Sequence, residues 1–164
     1  DLHSFPTRRS SDLRFDGFTK SFYVRYHPFE FVNTDTCVVL DGSIQIKKPL
    51  DKLITDFEQS GKDCLLMVHW CLDNIQNEYG VWVNQRGYPV EQAKKTFAFF
   101  KALGYSRDYK GSFEAGFKIV KKCKAIHTLH DFVYNCLEKL GTDKLHIDRV
   151  DQGILTIEDR KSVV

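Results

Sequence analysis

The chain has 164 residues, of which 42% are hydrophobic and 28% are charged, and its 24 lysines and arginines nearly balance its 22 aspartates and glutamates. This composition is typical of one globular domain with a substantial core, and the near-neutral balance gives no reason to expect nucleic acid as a partner. No apolar run approaches the ~20 residues of a membrane-spanning helix, so the sequence predicts no transmembrane segment.

The two ends of the chain share no helical or strand pattern with the rest. Residues 1–13 and residues 159–164 resemble translated sequencing-adapter read-through, which occurs at the edges of assembled metagenomic genes. A signal peptide is not predicted, because no apolar segment follows Arg8 and Arg9. We therefore expect residues 14–158 to be the core of a longer protein, truncated at both ends.

The first half of this core predicts a strand, a helix and a second strand. Thr36–Leu40 is a continuous apolar, β-branched run that ends at Asp41-Gly42, which is typical of a buried central strand followed by a tight turn. Pro49 opens a helix with apolar residues at helical spacing, and Gly61 ends it. Asp63–Trp70 predicts a second buried strand.

The second half predicts a helix, a strand and a last helix. Val90–Leu103 has the spacing of an amphipathic helix that stops at Gly104, and Phe113–Val120 alternates as a strand does. Thr128-x-x-Asp131 resembles a capping box for a helix that Gly141 closes. Buried strands that alternate with amphipathic helices indicate an α/β fold with helices on the faces of a sheet.

Residues 70–89 form a long segment without a clean period, in which aromatic rings stand among polar groups. Loops of this length in a compact domain are usually functional. The composition suits a sugar, because sugar CH faces stack on rings while the hydroxyls need donors and acceptors.

The cysteines and the run of lysines are both expected to have structural rather than catalytic roles. The cysteines are odd in number and form no C-x-x-C pair, so we expect reduced thiols in a cytosolic protein rather than disulfides or a zinc site. They are Cys37, Cys64, Cys71, Cys123 and Cys136. The basic run has no aromatic stacking ladder beside it, so we expect a solvated strand end. It consists of Lys118, Lys121, Lys122 and Lys124.

Asp41, Gly42 and Ser43 are the sharpest candidate for a functional site. A carboxylate at the carboxyl end of a central strand faces the crevice in which α/β sheets bind ligands, and Gly42 lets the backbone pass close to a phosphate. Asp41 would then ligate a Mg²⁺ or Mn²⁺ ion that bridges to a sugar-nucleotide diphosphate and stabilises the leaving group. An ordinary Asp-Gly turn is the alternative interpretation.

The surrounding motifs resemble a glycosyltransferase family of bacteria and plants that was long catalogued as a domain of unknown function. Tyr26-His27-Pro28 and Val38–Ile44 are similar to its H-P segment and to the strand that ends in D-G-N/S-I. Three further motifs follow in the family's order: His69, Asp73 and Glu78, then Gly111–Glu114, then Arg149–Gln152. The resemblance implies a GT-A nucleotide-diphospho-sugar transferase core, with a mixed sheet flanked by helices.

The resemblance also implies roles for individual residues. Either Asp151 or Glu114 is expected as the general base, since a carboxylate within hydrogen-bond reach of the acceptor hydroxyl can take its proton. Asp41 is expected on the metal. Eight residues are expected to bind donor or acceptor: Asp41, Gly42, Ser43, His69, Asp73, Glu78, Arg149 and Gln152. The central expectation is that Asp41, His69 and the Asp151-Gln152 pair open into one cavity.

Three departures from the family pattern bear on these roles. Trp70 replaces the usual proline after the histidine, Val150 is an extra residue in the R-D-Q match, and Ser43 replaces the second acid of the D-x-D signature. The resulting hypothesis is that the protein transfers a sugar from a nucleotide-diphosphate donor to a saccharide acceptor in the synthesis of surface polysaccharides. A cytoplasmic location is expected, and contact with the membrane surface is an open alternative.

Two alternatives stay open beside sugar transfer. One is a non-catalytic carbohydrate-binding or scaffolding module on the same fold. The other is a phosphate-ester hydrolase that uses Asp41, which is the weaker alternative because no second metal-binding carboxylate is evident near Asp41.

Overall fold

A computed structural model describes residues 17–68, 79–85, 87–106, 111, 113–142 and 150–161. The helices are α1 (Gly17–Tyr26), α2 (Asp51–Gln59), α3 (Val90–Ala102), α4 (Lys124–Thr142) and α5 (Val150–Lys161), with a short 3₁₀ helix at Pro28–Glu30 and a π-helical turn at Val81–Gln85. The strands are β1 (Thr36–Leu40), β2 (Cys64–Val68) and β3 (Phe113–Lys121). None of the described helices has the length and apolar character needed to cross a bilayer.

The chain divides into two compact units. The first contains Asp1–Leu66 and Gly116–Tyr134, and the second contains Met67–Ala115 and Asn135–Val164.

Three strands form one antiparallel sheet in the order β1-β3-β2. Thr36 of β1 lies opposite Lys121 of β3, and Leu40 lies opposite Phe117. The predicted α/β character is confirmed, but the sheet is small and antiparallel, so a mixed GT-A sheet stays a prediction. Among the described strands β3 is central, and β1 lies at an edge.

The prediction of a buried central strand at Thr36–Leu40 is therefore wrong. An edge strand is covered by a neighbouring strand on one side only, and every residue of β1 is only partly buried.

The core of the first unit lies between α2 and one face of the sheet. Phe57 of α2 packs with Phe117 and Ile119 of β3, and all three are buried. Val38 and Leu40 of β1 pack against this cluster. Successive side chains of a strand point to opposite faces, so Cys37, Val39 and Asp41 are directed to the other face of the sheet. This alternation decides where the candidate carboxylate lies.

Lys118 stands between Phe117 and Ile119 and therefore points to the opposite face, where its side chain is 1% exposed. Its Nζ lies 3.0 Å from His130 Nε2 of α4 and 4.0 Å from the ring centroid of Tyr26 of α1. The expectation that this part of the basic run is a solvated strand end is wrong for Lys118. A lysine inside a strand that is buried on both faces has no route to solvent, so it is held by an imidazole nitrogen and an aromatic face.

The core of the second unit contains the packing of α3 on α5. Phe100 of α3 and Ile154 and Ile157 of α5 are fully buried. Gly153 allows this approach, because a Cβ built on it would lie 2.5 Å from Phe100 Cζ. Residues 150–157 are all buried, so α5 has no exposed face over that stretch.

Most of the predicted boundaries agree with the structure, but both predicted ends of α4 are wrong, because α4 begins at Lys124 and continues through Gly141 to Thr142. The helices α2 and α3 stop before Gly61 and Gly104, whose φ angles of 70° and 97° are left-handed. The capping box at Thr128-x-x-Asp131 is wrong, because α4 already begins at Lys124 and Thr128 lies inside it. The chain turns directly from β3 into this helix, and the N–H of His127 donates to the carbonyl of Cys123 at 3.1 Å.

Candidate functional site

The predicted site residues fall into three groups. His69, Asp73, Glu78 and Arg149 lie outside the described residues. Asp41, Gly42 and Ser43 belong to the first unit, whereas Glu114, Asp151 and Gln152 belong to the second. The structure therefore presents two clusters, and the expectation of one shared cavity stays a prediction.

Asp41 continues β1 and starts a turn. Its N–H donates to the carbonyl of Gly116 at 2.7 Å, and its carbonyl accepts from the N–H of Ile44 at 2.9 Å. Strand alternation directs its side chain to the face that α1 covers, where Arg25 Nη2 donates to Asp41 Oδ2 at 2.9 Å. The guanidinium side chain is 19% exposed and the carboxylate side chain 43%. Asp41 and Arg25 thus form a partly exposed ion pair.

Gly42 and Ser43 are both exposed. Gly42 is not among the glycines with a positive φ, and a Cβ built on it would meet nothing within 4 Å. The turn itself therefore does not require glycine, and the close approach of the Gly42 backbone to a phosphate stays a prediction. The open space beside Gly42 leaves room for a ligand.

A cavity of about 430 Å³ adjoins the Arg25–Asp41 pair. This volume lies within the ~300–1,000 Å³ that is usual for small-molecule sites. Its walls are mostly apolar, and Arg25 and Asp41 are its charged groups. It is lined by Val24, Arg25, Pro28, Phe31, Val32, Cys37, Val38, Val39, Leu40, Asp41 and Gly42.

The sequence analysis missed Arg25, although it directly precedes the Tyr26-His27-Pro28 motif. That adjacency was the available signal. It could not identify the partner, because Arg25 and Asp41 are 16 positions apart and belong to different elements.

The expected metal does not fit the described residues around Asp41. No group of three or more His, Cys, Asp or Glu side chains that could hold a metal occurs in the part of the chain that the structure describes. Arg25 occupies Asp41 Oδ2, and its positive charge disfavours a divalent cation at the same carboxylate. Asp41 as a metal ligand therefore stays a prediction.

The second cluster brings together Glu114 and Gln152, two residues that the sequence had singled out. Gln152 Nε2 donates to Glu114 Oε1 at 2.6 Å, a short charge-assisted hydrogen bond. Gln152 is 4% exposed, and its Oε1 is buried and accepts no hydrogen bond from any described residue. Asp151, the neighbouring residue on α5, is 2% exposed. Buried polar atoms are rarely left unsatisfied, so this acceptor needs a donor from a water molecule, from a ligand or from a residue outside the described ones.

A third residue fixes the start of β3 against α5. The N–H of Phe113 donates to Thr156 Oγ1 at 3.1 Å, and Thr156 Oγ1 donates to the carbonyl of Gln152 at 2.8 Å. Thr156 follows Gln152 by one helical turn, so both lie on the same side of α5. This connection ties the strand residue beside Glu114 to the helix that carries Gln152. The sequence analysis missed Thr156, because nothing in its local pattern marks it.

A separate aromatic cavity of about 320 Å³ lies in the second unit and includes Tyr79 of the predicted sugar-binding loop. Tyr79 and Phe97 line it, and their rings meet edge to face with centroids 5.9 Å apart. Lys94 and Lys101 flank the rings, and Lys94 also pairs with Glu91 at 2.9 Å. Aromatic rings with adjacent ammonium groups can stack on a sugar and bind its oxygens.

Comparison of the chain with protein-family models, with curated proteins and with solved structures gives no match. The assignment of function therefore depends on the motifs and on the geometry of these clusters.

Proposed function

We propose that this chain is a glycosyltransferase core that moves a sugar from a nucleotide-diphosphate donor to a saccharide acceptor. The observation that carries the proposal is the Gln152–Glu114 pair, in which the buried amide oxygen of Gln152 is left without a donor among the described residues. The motif resemblance supports the same function. A role in surface-polysaccharide synthesis in the cytoplasm rests on the resemblance alone.

The pair has the chemistry that an acceptor hydroxyl needs. Gln152 Oε1 accepts a hydrogen bond from a sugar hydroxyl, which would satisfy the buried oxygen. Glu114 takes the proton of the attacking hydroxyl as its oxygen forms the new glycosidic bond, and the bond to the donor's diphosphate breaks with its electron pair on the leaving oxygen. Glu114 is half-buried and bonded to Gln152, which supports it as the base. Asp151, deeper in the fold, is the alternative base.

The cavity beside Asp41 is the proposed donor site. Its volume suits a small ligand, and one of its two charged groups, Asp41, lies at the turn that resembles the family's D-G-S/N-I motif. The test is a calorimetric titration of the chain with UDP and with GDP, in the presence and absence of Mn²⁺. Saturable binding of either nucleotide is expected. If neither binds under any condition, the donor site and the transferase assignment are rejected.

The second candidate is a non-catalytic carbohydrate-binding module. The aromatic cavity at Tyr79 and Phe97 favours it, because a sugar can stack there without any carboxylate chemistry. Titration with neutral and acidic oligosaccharides separates the two functions. The binding module would be favoured over the transferase if the chain binds a saccharide but no nucleotide, and if Phe97→Ala abolishes the saccharide binding.

A further inference from the structure

We propose that Arg25 binds the diphosphate of the donor and that the diphosphate displaces the carboxylate of Asp41 from the guanidinium. This inference rests on the proposed function for the identity of the donor. It assigns a binding role to a residue outside all the motifs, and it changes the role of Asp41 from a direct phosphate or metal partner to a competitor for Arg25 in the empty site.

The position of Arg25 suits an anion. It lies in the last turn of α1, it lines the cavity, and about four-fifths of its side chain is buried, with 19% exposed. Its Cζ lies 5.2 Å from the ring centroid of Phe22, which holds the guanidinium in place from one side. A guanidinium presents five N–H donors in a planar fork that matches phosphate oxygens.

The walls of the cavity strengthen this interaction. Apart from Arg25 and Asp41 they are mostly apolar, including Phe31, Val32 and Val39. Charge–charge attraction is stronger beside apolar walls than in bulk water, because the local dielectric constant is lower. A diphosphate carries more negative charge than a carboxylate, so it competes effectively for the same donors.

The carboxylate of Asp41 and a bound diphosphate would repel each other if both stayed beside Arg25. That carboxylate accepts from Arg25 at 2.9 Å and would repel a phosphate that approached the same guanidinium. Exchange of the two anions avoids this repulsion, since the side chain of Asp41 is 43% exposed and can turn to solvent. Binding thus opens the Arg25–Asp41 ion pair and releases the Asp41 carboxylate to solvent.

The exchange makes opposite predictions for the two partners in metal-free buffer. Inorganic pyrophosphate and UDP or GDP are titrated in EDTA against the wild-type chain, Arg25→Met, Arg25→Lys and Asp41→Asn. Arg25→Met weakens binding by about tenfold or more, and Arg25→Lys by less, because a point charge lacks the fork. Asp41→Asn strengthens binding by about threefold to tenfold, because a like charge beside the phosphate has been removed.

Matched controls come from an exposed ion pair on α2. Lys52 and Asp56 are 2.8 Å apart, and Lys52→Met and Asp56→Asn make the same changes of net charge outside the cavity. Neither control is expected to change the affinity. Thermal unfolding of each variant checks that it is folded. Asp41→Asn is expected to raise the affinity, which a misfolded variant would not do.

The outcomes separate the inference from the proposed function. Pyrophosphate binding that depends on Arg25, without any preference for a nucleotide, supports the anion site while the transferase assignment fails. The inference is overturned if pyrophosphate does not bind the wild-type chain, if Arg25→Met binds it as tightly as Lys52→Met does, or if Asp41→Asn binds it no more tightly than Asp56→Asn.

Discussion

Lys118 and His130 place two basic side chains side by side in the interior of the first unit, where they are 1% and 3% exposed. Burial, followed by the positive charge of Lys118, lowers the pKa of His130 from 6.5 to about 2. The imidazole is therefore neutral at ordinary pH, and its Nε2 accepts a hydrogen bond from the Lys118 ammonium at 3.0 Å.

His130 makes the stability of the folded chain depend on pH. Between pH 2 and 6.5 the unfolded chain binds a proton at this histidine that the folded chain does not, so stability is lost as pH falls below 6.5. In urea titrations from pH 7 to pH 5, the wild-type chain is expected to lose ~2 kcal/mol more unfolding free energy than His130→Gln, which keeps an acceptor for Lys118. Equal losses in the two proteins would contradict the buried neutral imidazole.

Gly153 is a position at which one added methyl group would clash with the core of the second unit. Its Cβ would lie 2.5 and 2.7 Å from two atoms of the Phe100 ring, which is fully buried and cannot move aside. Gly153→Ala is expected to reduce the free energy of unfolding by ~1–3 kcal/mol, as overpacking of a core does. Chemical denaturation measures this loss.

The matched control for Gly153 is Gly42→Ala, because a Cβ at Gly42 meets nothing within 4 Å. This change is expected to stay within ~0.5 kcal/mol of wild type. Adding Phe100→Leu to Gly153→Ala should recover part of the loss. Equal stability of the two alanine variants would show that α3 and α5 do not pack as closely as described.

At the scale of elements, local pattern identified the helices with one apolar face and failed for the others. In α2, Leu53, Ile54 and Phe57 face the core while most of the other residues are exposed, so the stripe is visible in the sequence. In α5, residues 150–157 are buried on every side, including the polar residues Asp151 and Gln152, so no stripe exists to be read. A helix of that kind is recognised only from what surrounds it.

The start of α4 gives an element-scale prediction. Thr128 is exposed inside the helix rather than at its N-cap. Thr128→Ala is therefore expected to leave the free energy of unfolding unchanged or to raise it by ~0.5 kcal/mol, because alanine has the higher helix propensity. Loss of a capping residue would instead lower the free energy of unfolding by ~1 kcal/mol. A decrease of that size in chemical denaturation would show that Thr128 caps the helix.

At the scale of the whole molecule, the order of three strands and three helices could be predicted, because each has a local signal. The pairing of the strands could not be predicted, since residues 41–112 separate β1 from β3 and the register of the two strands is set by tertiary packing. The candidate site shows the same division. Motif order selected Glu114 and Gln152, whose contact spans 38 positions, but no motif pointed to Arg25 as the partner of Asp41.

The proposed sugar transfer is tested most directly by acceptor-dependent release of nucleoside diphosphate from a panel of UDP- and GDP-sugars. The wild-type chain is expected to release diphosphate only when a saccharide acceptor is present. Glu114→Gln is expected to lower that rate by ~10²–10⁴-fold, the range of general-base catalysis, while the exposed Glu58→Gln keeps it. No acceptor-dependent release from any donor, or equal rates in Glu114→Gln and Glu58→Gln, would contradict the proposed role of the Gln152–Glu114 pair.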